Sequence, residues 1–130
     1  MLVITTKSPY AVRALAELAR RGNATPVPIG EIARARGIPV QFLEGLFATL
    51  RRAGILQSQR GVKGGYLFGR APSDVTVLEV VELLDGELGR EATGVFAEAA
   101  KAARDVLAAT TIADVVEREA REAGASMYYI

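Results

Sequence analysis

The sequence predicts a mostly α-helical chain carrying one small β-hairpin. Three observations support this. Apolar residues recur at three- and four-residue spacing in successive segments. Two short β-like runs flank a Gly-rich tip. The composition, 50% hydrophobic and 24% charged with many Ala, Val and Leu, is that of a globular, mostly helical protein. At 130 residues the chain is expected to form one compact unit rather than two independent cores.

The elements follow in order. Ser8-Pro9 reads as an N-cap with Pro at the first helical position, and Ala11, Ala14, Leu15, Leu18 and Ala19 continue a helix from Pro9 to Arg21, stopped by Gly22. Residues 22–28 hold Gly, Asn, Thr and two Pro, a connector. A helix over Ile29 to Arg36 ends at Gly37. Pro39 opens the next helix, whose apolar face is Val40, Leu43, Leu46, Phe47 and Leu50, with Gly54 as the stop. Residues 55–60 and 66–70 form the hairpin around Gly61-Val62-Lys63-Gly64-Gly65. Thr76 with Glu79 forms a capping box that opens a helix through Leu84. The longest helix is expected from Thr93 to Ala108. A final one begins at the Thr111/Asp114 pair, runs out near Gly124, and leaves residues 125–130 as a short apolar tail.

Two helices joined by a tight Gly-Ile-Pro turn and followed by a hairpin make a winged helix-turn-helix, expected over residues 1–86. Dimerisation helices and the tail are expected over 87–130. The second helix of such a motif enters the major groove. Its outward residues here are Gln41, Glu44, Gly45 and Ala48, with Arg51 and Arg52 near its end. Gln suits adenine and Glu accepts from cytosine, so Gln41 and Glu44 are the base-reading candidates, the alternative being an ordinary solvated pair. At the wing, Arg60 and Lys63 supply cations for phosphates or a minor groove, and Gly64 and Gly65, next to Tyr66, permit close backbone approach. The same loop is no nucleotide cradle, because it does not join a strand to a helix N-terminus through a Lys-Ser/Thr pair.

Charge is uneven along the chain. Residues 1–74 hold eleven Lys or Arg against four acids, a surplus of +7, and the remainder holds five against eleven, or −6. This suggests one half that meets a polyanion; scatter of surface charge is the other reading. The chain has no Cys and no His, so disulfides, thiolate or imidazole metal sites and the corresponding nucleophiles are excluded by inventory. No acid–base pair or cofactor fingerprint suggests an enzyme. The N-terminus lacks a leader pattern and no run approaches a membrane span, so a cytoplasmic protein is expected.

The chain resembles the Rrf2 family of winged-helix transcriptional regulators. The resemblance rests on Thr5-Thr6-Lys7 with Tyr10-Ala11-Val12, Glu31-Ile32-Ala33, Phe42-Leu43-Glu44 with Leu46-Phe47, Leu50-Arg51-Arg52-Ala53-Gly54, Arg60-Gly61, Gly64-Gly65-Tyr66 and the stretch from Thr76 to Gly86. It implies sequence-specific operator binding to double-stranded DNA as a homodimer, as a repressor. Glu44 and Arg60 would stand in base-contacting positions, and Thr6 and Lys7 near phosphates. The chain departs from the family in Lys7-Ser8-Pro9-Tyr10, which has one cation fewer than the usual Lys-Gly-Arg-Tyr, and in Gly45, where relatives often carry Gln. Members with an iron–sulfur cluster ligate it by three Cys between the capping-box helix and the long helix. Here residues 87–95 offer none, so the resemblance is to the cluster-free branch, that of the cysteine-metabolism repressors.

Two further expectations concern the second half. Val95, Ala99, Ala102, Ala103 and Val106 either form the dimer seam with a symmetry mate or only cover the core. The ending Met127-Tyr128-Tyr129-Ile130 is similar to the Ile-terminated tail by which serine acetyltransferase docks into O-acetylserine sulfhydrylase (cysteine synthase), which makes that enzyme a candidate partner. The alternative is a hydrophobic latch folded back on the protein. Accordingly the leading function is a transcriptional regulator, possible targets being sulfur and cysteine metabolism, and the competing one is an interaction module acting through the tail.

Overall fold

The computed structural model describes residues 7–62 and 64–127. Its elements are α1 (Lys7–Arg20), α2 (Ile29–Arg36), α3 (Val40–Arg52), β1 (Leu56–Gln59), β2 (Gly65–Phe68), a 3-10 turn (Pro72–Asp74), α4 (Val77–Asp85), α5 (Val95–Ala108) and α6 (Ile112–Met127). The predicted mostly helical chain with a single hairpin is the observed architecture.

One apolar core organises these elements. Leu15 and Leu18 of α1, Ile32 of α2, Leu43, Phe47 and Leu50 of α3, Val80 of α4 and Ile112 of α6 are buried together. Ile112 thus shares the core of the helix-turn-helix although it lies far along the chain. By contrast α5 buries only Ala100.

Several local expectations change. Helix α1 starts at Lys7, so Ser8 lies inside it; the buried Ser8 hydroxyl donates to the Asp85 carboxylate at the end of α4 and does not cap its own helix. Val40 is 41% exposed, because the core ends one turn short of the start of α3. The connector 22–28 contributes to the sheet: Val27 N–H donates to the Tyr66 carbonyl (3.0 Å) and Tyr66 N–H to that of Val27 (2.9 Å). Asn23 Oδ1 accepts from Phe68 N–H at 3.0 Å, a second stitch between connector and hairpin. The antiparallel register pairs Leu56 with Phe68, both buried, at the base of the hairpin.

The two capping boxes differ. Thr111 and Asp114 complete theirs: Thr111 N–H donates to Asp114 Oδ2 (2.9 Å) and Asp114 N–H to Thr111 Oγ1 (3.1 Å). At Thr76 only half forms. Its hydroxyl accepts from Glu79 N–H, while the Glu79 carboxylate is drawn away to Arg70. The starts of α4 and α6 are bolted together by Val77 N–H to the Thr110 carbonyl (2.8 Å) and Ile112 N–H to that of Val75 (2.9 Å). Helix α6, with 16 residues, is longer than α5, with 14, and it continues through Gly124 to Met127. The predicted ranking of α5 as the longest element, and the predicted stop near Gly124, are therefore corrected. A glycine close to a helix end costs little, and Gly124 has no left-handed backbone to force a stop.

Candidate nucleic-acid interface

Helix α3 is held from behind and free in front. Leu43, Leu46, Phe47 and Leu50 are in the core, and Phe42 meets the Tyr10 ring edge-on at 5.6 Å. Gln41, Glu44, Gly45, Arg51 and Arg52 are exposed. Arg52 Nη2 donates to Thr49 Oγ1 (3.2 Å), and the Thr49 hydroxyl donates to the Gly45 carbonyl (3.3 Å). A short turn through Gly37, whose left-handed backbone (φ 63°) ends α2, sets the angle at which α3 departs. Arg13 Nη2 donates to the Arg36 carbonyl (2.8 Å), satisfying one orphan acceptor at that helix end.

The hairpin is fastened directly to α3. The Tyr66 ring packs on that of Phe47, with centroids 5.0 Å apart at 72°. Arg60, at the start of the wing tip, is exposed. Gly64 and Gly65 have reasons internal to the fold. A Cβ on Gly64 would stand 2.4 Å from the Gln59 carbonyl oxygen, and one on Gly65 2.3 Å from the backbone of Val27. Their small size lets the tip close and the connector pair with β2. Lys7 stands exposed as the first residue of α1. Thr6 and Lys63 lie outside the described residues.

Cations divide into two sets. Glu17, 3% exposed inside α1, receives Arg20, Arg21 (2.7 Å) and Arg36 (3.0 Å), and Arg36 goes on to pair in bidentate fashion with Glu119 of α6 at 2.8 and 2.9 Å. Burial raises the Glu17 pKa, but the hydrogen bonds from the three guanidinium groups outweigh it and hold the carboxyl at about 2. Glu119 is also held low by Arg36, and Arg36 is raised by Glu119. Arg70 pairs with Glu79 and Arg104 with Glu82. Arg51 and Arg60, in contrast, make no ion pair among the described residues. Two cations of the first half, Arg36 and Arg70, thus pair with acids of the second half, and Glu17 gathers three guanidinium groups, so the cations are not equally available, which charge counting does not reveal. The signal available in sequence was Glu17 itself, an acid standing among Ala14, Leu15, Ala16 and Leu18.

Helix α5 presents another surface. Val95 and Phe96 are each 66% exposed and Val106 60%; Ala99 and Ala102 are exposed too, while Ala103 is half-buried. Phe96 is absent from the residues predicted for the seam, yet it is the largest apolar group on that face. The opposite side of α5 meets the loop before it: Leu88 is buried, and Ala100 occupies the space a Cβ on Gly89 would need. This loop belongs to residues 87–95. A chain with neither Cys nor His supplies no thiolate or imidazole there, and no group of three potential ligands is found among the described residues. The residues present do not fit an iron–sulfur cluster.

Of the predicted tail, Met127 is the last residue of α6, and Tyr128, Tyr129 and Ile130 lie outside the described residues. No helix among the described residues is long and apolar enough to cross a membrane.

Comparison with known proteins gives a consistent picture. The Rrf2 family model, described as an iron-dependent transcriptional regulator, matches residues 4–118. The HTH-type transcriptional regulator IscR of Escherichia coli K12 is 42% identical over 82 residues, which are 63% of this chain and 51% of that protein. The matched stretch therefore spans about half the length of these curated relatives. Among solved structures, CymR (YrzC), the global cysteine regulator of B. subtilis, superposes with a TM-score of 0.83 at 29% identity, covering 91% of this chain and 98% of that one. IscR of T. potens superposes with a TM-score of 0.80 at 34% identity, covering 91% and 88%.

Proposed function

Because the chain belongs to the Rrf2 family, we propose that it is a sequence-specific DNA-binding transcriptional regulator, a repressor that acts as a homodimer without an iron–sulfur cluster. The observation that carries this reading is the joining of α3 and the wing through Phe47 and Tyr66 into one unit whose exposed Arg51 and Arg60 have no acidic partner among the described residues. Unpaired cations beside a helix that fits a major groove are what counterion release from DNA requires. In this reading Gln41 and Glu44 face base edges, Arg60 the adjoining groove, and Lys7, Arg51 and Arg52 the phosphates.

The homodimer rests on the apolar outer face of α5. An exposed Phe96 flanked by Val95, Ala99, Ala102 and Val106 is covered most simply by a second copy through a two-fold axis. Likeness to the global cysteine regulator of B. subtilis supports genes of sulfur and cysteine metabolism as targets.

Selection of genomic DNA fragments by the purified protein tests the reading. An enriched sequence with two half-sites, bound with an affinity that falls steeply with salt and is indifferent to iron chelators, is the expected result. Equal binding to all fragments would remove the regulatory function. Loss of binding on chelation would remove the cluster-free mechanism.

A further inference from the structure

Gly45 stands sixth of the thirteen residues of α3. A glycine in a helix interior disfavours folding roughly five-fold relative to alanine. Its backbone is not left-handed, and a Cβ there would meet nothing within 4 Å. Neither backbone geometry nor internal packing explains it. Gly30 and Gly124 share that openness but sit at the second residue of α2 and near the end of α6, where the penalty is small. Every other glycine of the chain has a left-handed backbone or atoms standing where a Cβ would go.

The surroundings say what the space could admit. Gly45 lines a groove of about 400 Å³ with Gln41 and Thr49 of α3, Lys7 of α1, and Leu83 and Leu84 of α4. The first turn of α3 carries the hydrogen-bonding groups, Gln41 and Glu44. In the next turn the Thr49 hydroxyl is engaged twice within the helix, by the Gly45 carbonyl and by Arg52. Around Gly45 the surface therefore offers room without a free hydroxyl. The one major-groove feature that is neither donor nor acceptor is the thymine methyl group.

We propose that Gly45 is a specificity-determining residue, its missing side chain leaving a notch on the outer face of α3 that admits the 5-methyl group of a thymine. This rests on the DNA-binding reading and adds to it the kind of base read at one position.

The experiment uses the full-length protein, the sequence it selects, and that sequence with each thymine replaced in turn by deoxyuridine, which removes only the methyl. With the native protein, one such replacement per half-site is expected to weaken binding about four-fold, the worth of one buried methyl. Gly45→Ala is expected to melt roughly 3–6 °C higher, to bind the thymine-containing site more weakly, and to lose its sensitivity to deoxyuridine at that position. A Gly45→Ala protein that melts higher yet shows the native affinity and deoxyuridine profile would overturn the inference while leaving the regulator intact. A native protein insensitive to every replacement would overturn it as well. Failure of the native protein to select any sequence would remove both readings.

Discussion

Helices α3 and α5 each turn one face away from the core, and the two faces have opposite chemistry. On α3 the outer residues are Gln41, Glu44, Arg51 and Arg52; on α5 they are Val95, Phe96, Ala99, Ala102 and Val106. Both helices are amphipathic, yet only α3 spends its apolar side on the core, with four buried residues against the single Ala100 of α5. An amphipathic helix whose apolar side looks outward lacks half its packing. The contrast teaches that the partner of each face is written in what it leaves unsatisfied: unpaired charge on one, uncovered apolar surface on the other.

Breaking the apolar face should have the larger effect. Phe96→Glu combined with Val106→Glu is expected to give a helical monomer whose operator affinity falls by about 10²–10⁴, since both half-sites then bind independently. Sedimentation and DNA titration check this, and a dimer of native affinity would assign α5 a different role.

Next comes the cluster around the buried Glu17, which joins α1, α2 and α6 and separates structural cations from exposed ones. Glu17 has a folded pKa of about 2 against an ordinary 4.5. Its contribution is thus fully present above pH 4.5 and lost as pH falls toward 2. At neutral pH the shift corresponds to about 3 kcal/mol. Glu17→Gln should be destabilised by that order and lose the steep part of the acid-unfolding profile between pH 4.5 and 2, as followed by circular dichroism. A profile unchanged from native would mean that Arg20, Arg21 and Arg36 do not hold α1, α2 and α6 through this carboxylate.

Removing an unpaired cation should do the reverse. Arg60→Ala is expected to leave the melting temperature unchanged, weaken operator binding about ten-fold and relax selectivity at one position. Uniform weakening across all sequences would make Arg60 a phosphate contact only.

Smallest are the caps. Thr111→Ala and Thr76→Ala each lose one hydrogen bond from a backbone N–H, so each should cost about 1 kcal/mol, and Asp114→Ala added to Thr111→Ala, which also removes the reciprocal bond, should cost more. Denaturant titration checks the order.

Much of this organisation is legible in the chain. Helix α2 runs over the predicted Ile29–Arg36, because Gly37 is a stop of unambiguous chemistry. The hairpin follows from its glycines, and four of the five apolar residues assigned to the inner face of α3 are buried. What the pattern conceals are contacts between residues distant in sequence. Ser8 looks like a cap until Asp85 is seen beside it, and the Pro-rich connector looks like a plain loop until Val27 meets Tyr66. Arg36 counts toward a polyanion-binding surplus until Glu17 and Glu119 close around it. At the candidate interface, Gly64 and Gly65 read as openings for DNA, while the fold gives each a backbone neighbour that needs the space.

By itself the sequence determined the helical period, the turn chemistry and the absence of any thiolate or imidazole, and hence a chain without the thiolates that ligate an iron–sulfur cluster. These are properties of residue type and local spacing. Only the tertiary structure decided which charges are spent inside the fold and which stay available, and which apolar residues of α5 remain uncovered. Those properties depend on what distant segments bring to the same place. For that reason Arg36 and Arg60, alike as residues, hold different positions: one locks three helices together and the other stands exposed at the wing with no ion pair among the described residues.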